Sequence, residues 1–161
     1  MTDQPVAAHE LSITRLIEAP PHVVYRVWTQ RTGEWWAPRP YTTPVVDLDL
    51  KPGGRGRMVM QAPDGTEMPN EGVFLEIVPN ERIVFTHAFT VGWIPQDPFM
   101  VVIVTFAPEG MGTRYTARVR HWSAEAVKRH EAMGFHQGWS IVAGQLAELA
   151  ETEAKSTLEA A

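Results

Sequence analysis

The spacing of apolar positions changes along the chain, and each change marks an element. In "HELSITRLIEA", Leu11, Ile13 and Arg15 alternate with Ser12, Thr14 and Leu16, the two-residue period of a strand. Pro20 and Pro21 suit the first turn of a helix, and Val24, Val27 and Trp28 recur at helical spacing in "PPHVVYRVWTQ". "RTGEWWAP" reads as a second short helix, stopped by Pro38 and Pro40. Six strand-like runs follow: "TPVVDLDL", "RGRMVMQ", "EGVFLEIV", "RIVFTHAFTV", "MVVIVTFA" and "TRYTARVRHW". Most are separated by short turns in which Pro presets φ, Gly permits positive φ, or Asp and Asn bond their own backbone. Runs joined this way predict an antiparallel meander. Ser123 is placed to cap "SAEAVKRH", and the helical pattern continues to about Glu153.

The order strand, two short helices, six strands, one long helix predicts an α+β fold. The apolar face of such a sheet must be covered, and only the last helix is large enough. Along it Phe135, Trp139, Val142, Leu146 and Leu149 step by four, three, four and three, one continuous seam. On the sheet, Ile83, Phe85, His87, Phe89 and Val91 share the face predicted to point inward. Tyr115, Ala117 and Val119 do the same in the last run, which puts Arg114, Arg118 and Arg120 outside. Those arginines read as a solvated strand face, with an anion or partner site as the alternative. Met58 and Met60 are the apolar partners in "RGRMVMQ".

Length, charge and missing residue types narrow the function. The 161 residues suit one domain, taken as residues 9–154 with flexible termini at 1–8 and 155–161. A net charge of −5 argues against binding nucleic acid by broad phosphate neutralisation. No stretch reaches the ~20 apolar residues of a membrane span. "MTDQPVAAHE" lacks the pattern of a signal peptide, and with no cysteine the expected location is cytoplasmic. "HEAMG" lacks the second histidine of a zinc-protease helix, and His121, His130 and His136 have no familiar metal-ligand spacing. "GGRGRMV" is not followed by the Gly-Lys-Ser/Thr of a phosphate loop. No metal or cofactor is called for, and the expected state is a monomer or weak homodimer.

Several segments together carry a resemblance. The element order, "KPGGRGRMVM", "PDG" before "EGVFLEIVPNERIVFT", the "EGMGTRYTARVRHW" hairpin and the closing "HEAMGFHQGW" resemble the SRPBCC superfamily over roughly His9 to Ala150. Within it they look most like the Hsp90-ATPase-activator-homologue, polyketide-cyclase-like branch. The resemblance implies the START-like (Bet v 1-like) helix-grip fold, a curved antiparallel sheet wrapped around a C-terminal helix, often with a cavity for apolar ligands between them. Members often carry a bulky aromatic after the Gly-Gly turn; here the inward places are Gly56 and Met58, which points to a larger or softer pocket.

On that frame, Gly134 and Gly138 leave room where the last helix meets the mouth of the sheet. The alternative is that they serve only tight packing or a helix break. The first expected function is binding of a small hydrophobic, lipid-like or aromatic molecule. Its expected contacts are Trp35, Met58, Met60, Phe85, His87, Phe89, Trp93, Phe99, Tyr115, Phe135 and Trp139. The loop "VGWIPQDPF" reads either as a lid or as a connection that tucks its own Trp and Phe into the core. The second expectation is a cyclase- or hydrolase-type enzyme with His87, Tyr115 or His136 as acid–base groups, each of which also reads as a structural residue. The third is an Hsp90-co-chaperone-like interaction domain, implied by the resemblance alone.

Overall fold

The computed structural model of the chain describes residues 9–97 and 99–160. Strand β1 (Glu10–Ile17) leads into helix α1 (Pro21–Gln30) and a single 3₁₀ turn (Thr32–Glu34). Strands β2 (Thr42–Leu48), β3 (Arg55–Gln61), β4 (Glu67–Val78) and β5 (Arg82–Thr86) then run as a meander. A small separate hairpin, β6 (Phe89–Thr90) and β7 (Ile94–Pro95), precedes β8 (Val101–Glu109) and β9 (Gly112–Arg120). Helices α2 (Ala124–Ala132) and α3 (Phe135–Ala160) close the chain.

The main sheet has seven antiparallel strands in the order β1-β9-β8-β5-β4-β3-β2. β1 pairs with β9, setting Leu11 opposite Val119 and Ile13 opposite Ala117. The first strand thus lies at one edge and β2 at the other. The sheet and α3 together form the helix-grip arrangement. The alternation in β9 holds: Tyr115, Ala117 and Val119 are buried, while on the opposite face Arg114 pairs with Glu109 and Arg120 with Glu10 at 2.9 Å. No helix among the described residues is long and apolar enough to cross a membrane.

The run "RIVFTHAFTV" is not one strand. The Thr86 hydroxyl donates to the Met100 carbonyl at 3.0 Å and accepts from the Ala88 N–H at 3.1 Å. That side chain takes over backbone pairing, and the ladder ends there. The chain then turns out into the β6–β7 hairpin, where Phe89 meets Trp93 at 6.0 Å and Val91 is exposed. The inward face predicted through Phe89 and Val91 therefore stops at His87.

The closing helix is also two helices. Ser123 caps α2 as expected, its hydroxyl accepting from the Ala126 N–H at 3.1 Å. Gly134 has φ 89° and its N–H reaches back to the Glu131 carbonyl at 2.9 Å. It is the left-handed residue that ends a helix, a conformation nearly free of cost only for glycine. Gly138 lies inside α3, and a Cβ added there would meet nothing within 4 Å. The helix runs to Ala160 rather than to about Glu153, so residues 155–160, expected as part of a flexible tail, form its last turns. Residues 1–8 and Ala161 lie outside the described residues.

Between helix and sheet lies one hydrophobic core. Phe135 and Leu146 of the predicted seam are buried, and Trp139, Val142 and Leu149 pack against the core. Ala143, Ala147 and Ala150 are also buried, and their small side chains let α3 lie close to the strands. Each larger apolar side chain buried here contributes ~1.5–3 kcal/mol relative to exposure.

Candidate ligand-binding cavity

The packing is incomplete at one end of α3. There the helix is exposed on its outer side at His136, Gln137, Ser140 and Ile141. Its inner side presents Gly138, Trp139 and Val142 to a cavity of about 250 Å³. The sheet supplies the floor: Ile13 from β1, Met58 and Met60 from β3, Asn70 from β4 and Tyr115 from β9. His87 and Met100 line it from the ends of β5 and β8, and Phe99 from the chain entering β8.

A third wall is the segment after the 3₁₀ turn, through Trp35, Trp36 and Pro38. Its backbone lies outside the sheet, and Gln145 of α3 bonds to it instead. The Gln145 amide nitrogen donates to the carbonyls of Trp35 at 2.9 Å and Ala37 at 2.8 Å. Its oxygen accepts from the Arg39 N–H at 3.0 Å. Trp36 meets Trp139 at 6.3 Å and Trp35 at 5.3 Å, so the wall and the helix share one aromatic cluster.

Few polar groups reach the cavity, and none of the lining side chains is a Lys, Arg, Asp or Glu. The Tyr115 oxygen accepts from Trp28 Nε1 at 3.3 Å, leaving its own O–H as a donor. Burial pushes the Tyr115 hydroxyl far above its usual pKa, so it stays protonated. Burial also lowers the pKa of His87 and keeps the imidazole neutral. Gly72 makes room for it: a Cβ there would lie 2.1 Å from the Thr86 carbonyl oxygen and 2.9 Å from His87 Cδ2. His130 of α2, 7% exposed, hydrogen-bonds His121, which in turn bonds the Phe99 carbonyl. Burial first, and then the neighbouring His121, pushes the pKa of His130 down to about 4.

Trp35, Met58, Met60, His87, Phe99, Tyr115 and Trp139 therefore line one cavity. The other candidates do not line it. Phe85 sits behind the cavity, packed at 6.2 Å from both Phe74 and Trp36. Phe135 backs Trp139 at 5.2 Å. Phe89 and Trp93 belong to the outlying hairpin, and Trp93 is 56% exposed. His136 is exposed and faces Glu131 at 3.7 Å, which removes it as an acid–base group of this cavity. Met58 lines the cavity, whereas Gly56 does not: a Cβ added there would touch Phe74 at 3.4 Å. Of the "VGWIPQDPF" loop, Phe99 reaches the cavity while Val91, Trp93 and Ile94 are exposed; its Pro98 lies outside the described residues.

Sequence reasoning missed Asn70, Met100 and His130. Counting back by twos from the inward Phe74 through Gly72 reaches Asn70, but the strand-like run "EGVFLEIV" starts one residue later. For His130 the only signal is that it stands one turn before Gly134, on the same side of α2 as Val127.

Comparison with other proteins agrees with this architecture. The family described as Activator of Hsp90 ATPase homolog 1-like protein matches residues 18–151. Protein NE0264 from Nitrosomonas europaea is 36% identical, with 92% of this chain and 98% of that one covered and a TM-score of 0.88. Protein Ms6760 from Mycobacterium smegmatis is 27% identical, covers 87% of this chain and 89% of its own, and has a TM-score of 0.74. The AHSA1 protein from Silicibacter pomeroyi shares the fold at 21% identity, with 89% and 99% covered and a TM-score of 0.70. No curated protein matches the chain. The family match, spanning most of the sheet and most of α3, means that the chain belongs to the Activator of Hsp90 ATPase homolog 1-like family of the SRPBCC superfamily.

Proposed function

We propose that the protein binds a small hydrophobic molecule in the cavity between the sheet and α3. The observation that carries this reading is a hollow of about 250 Å³ whose walls are mostly Trp, Met, Phe and Val, with a few neutral polar groups. A site of this kind gains ~25 cal/mol for each Å² of apolar surface removed from water and uses its polar groups for orientation. Aromatic and lipid-like probes are expected to raise Tm with concentration, by about 2.7 kcal/mol of stability at a hundred times Kd. Gly138→Leu projects a side chain into the hollow and is expected to abolish the shift while the protein stays folded. If no probe shifts Tm and the protein purified from its host carries no small molecule by native mass spectrometry, the reading fails.

A second reading, an acid–base enzyme, is favoured by one observation: His87 and Tyr115 line the same cavity. A neutral His87 has a lone pair to take a proton, and Tyr115 has a hydroxyl to donate a hydrogen bond. His87→Ala and Tyr115→Phe are then expected to lower a turnover by ~10²-fold or more, in the range of positioned acid–base groups. Unchanged turnover in both variants excludes these roles. The co-chaperone reading rests on the family description alone.

A further inference from the structure

We infer that the cavity selects an uncharged hydrophobic molecule bearing a hydroxyl group, whose proton is accepted by Nε2 of His130. This rests on the ligand-binding reading above and adds what the ligand must carry.

The argument begins at a backbone carbonyl. The Phe99 oxygen can only accept, so the nitrogen 2.6 Å from it, Nδ1 of His121, carries the proton. In an uncharged imidazole the other nitrogen then holds a lone pair. His121 Nε2 lies 2.9 Å from His130 Nδ1, so His130 Nδ1 is the donor. The same rule leaves His130 Nε2 unprotonated. The chain of bonds therefore runs outward from a fixed carbonyl to a fixed tautomer.

That last nitrogen has no hydrogen-bond partner among the described residues. It is not sealed off either: the only side-chain polar atoms both sealed and unpartnered there are Trp35 Nε1 and Thr43 Oγ1. His130 is otherwise buried, and the space it lines is the cavity. Its ring is held by Phe99 at 4.8 Å, Phe135 at 5.0 Å and Trp139 at 6.2 Å. An unpartnered acceptor on a cavity-lining side chain needs a donor, and a guest in the apolar hollow can supply it.

Charge narrows the guest further. A carboxylate would set its acceptor oxygens against the His130 lone pair, with neutral donors such as the Tyr115 O–H but no lining Lys or Arg to compensate. An ammonium group would find no lining carboxylate. The low pKa of His130 keeps the ring neutral, and so an acceptor, near pH 7. An alcohol or phenol fits both the shape and the polarity.

Four matched two-ring probes test this: naphthalene, naphthol, the methyl ether of naphthol, and naphthoate, titrated calorimetrically. Naphthol is expected to bind about fivefold more tightly than its ether, the size of one neutral hydrogen bond. Naphthoate is expected to bind more weakly than naphthalene. In His130→Phe, naphthol and ether are expected to converge while naphthalene still binds. Independently of any variant, heteronuclear NMR of the labelled wild-type protein is expected to show His130 protonated at Nδ1 and bare at Nε2. Equal binding of naphthol and ether, or a proton on Nε2, overturns this inference and leaves the hydrophobic-ligand reading standing. Failure of all four probes, naphthalene included, overturns the ligand reading for molecules of this size, and this inference with it.

Discussion

Gly134 and Gly138 stand one turn apart and should respond to alanine with opposite signs. At Gly134 the backbone has φ 89°, which costs an L-residue ~1–2 kcal/mol. At Gly138 the backbone is helical and the added methyl meets open space, so alanine regains ~1 kcal/mol of helix propensity. Urea denaturation of Gly134→Ala and Gly138→Ala is expected to give a loss and a gain; two losses would contradict the open space at Gly138. The sequence shows two glycines where a helix is expected but cannot say which one bends the chain, because both cost the same in a straight helix. The same limit explains the misplaced side chains. Period two put His87 and Tyr115 correctly inward, because alternation survives in β5 and β9. It failed for Phe89, where one threonine hydroxyl ends the ladder. His130 carries little local signal, because its hydrogen bonds run to His121 and through it to a carbonyl from a different part of the chain.

Among the elements, the segment from Trp35 to Arg39 depends on a single side chain of α3. Gln145→Leu keeps the volume but removes three hydrogen bonds and strands the carbonyls of Trp35 and Ala37. At roughly 1 kcal/mol for each bond, with a further penalty for buried unpaired groups, the loss is expected to be about 3 kcal/mol by urea denaturation. Probe affinity is expected to fall as well, since Trp35 and Trp36 form one wall of the cavity. A change below ~0.5 kcal/mol, the usual size for a surface substitution, would show that the clasp contributes little. The strands themselves were largely legible, because their turns carry Pro, Gly, Asp and Asn and their inner faces alternate. Nothing local in "GQLAE" distinguishes Gln145 from a solvated residue; its partners lie more than a hundred positions away.

For the molecule as a whole, the buried histidines set how stability varies with pH. In the unfolded chain an imidazole takes up its proton near pH 6.5. In the folded chain His130 does so only near 4, and His87 is shifted in the same direction. Between those values the unfolded state binds more protons, so stability is complete above about pH 6.5 and declines as pH falls toward 4. His130→Phe is expected to reduce the drop in Tm between about pH 7.5 and about pH 4.5, measured calorimetrically against wild type. An unchanged drop would assign the acid sensitivity elsewhere. The fold class was readable at this scale because a long sheet with one face to cover admits few solutions. The hollow was not readable as a volume, because it depends on how far α3 stands from the strands.

The two ends of α3 are secured very differently. Its later turns are tied to α1 through Arg26 and Glu153 at 3.2 Å, and Glu151 accepts from the Glu18 N–H at 2.9 Å. Its first turns start afresh from a left-handed glycine, bury Phe135 and line the cavity through Gly138, Trp139 and Val142. The later turns of α3 are thus anchored to α1 by charge, whereas its first turns are held by the aromatic contacts of Phe135 and Trp139.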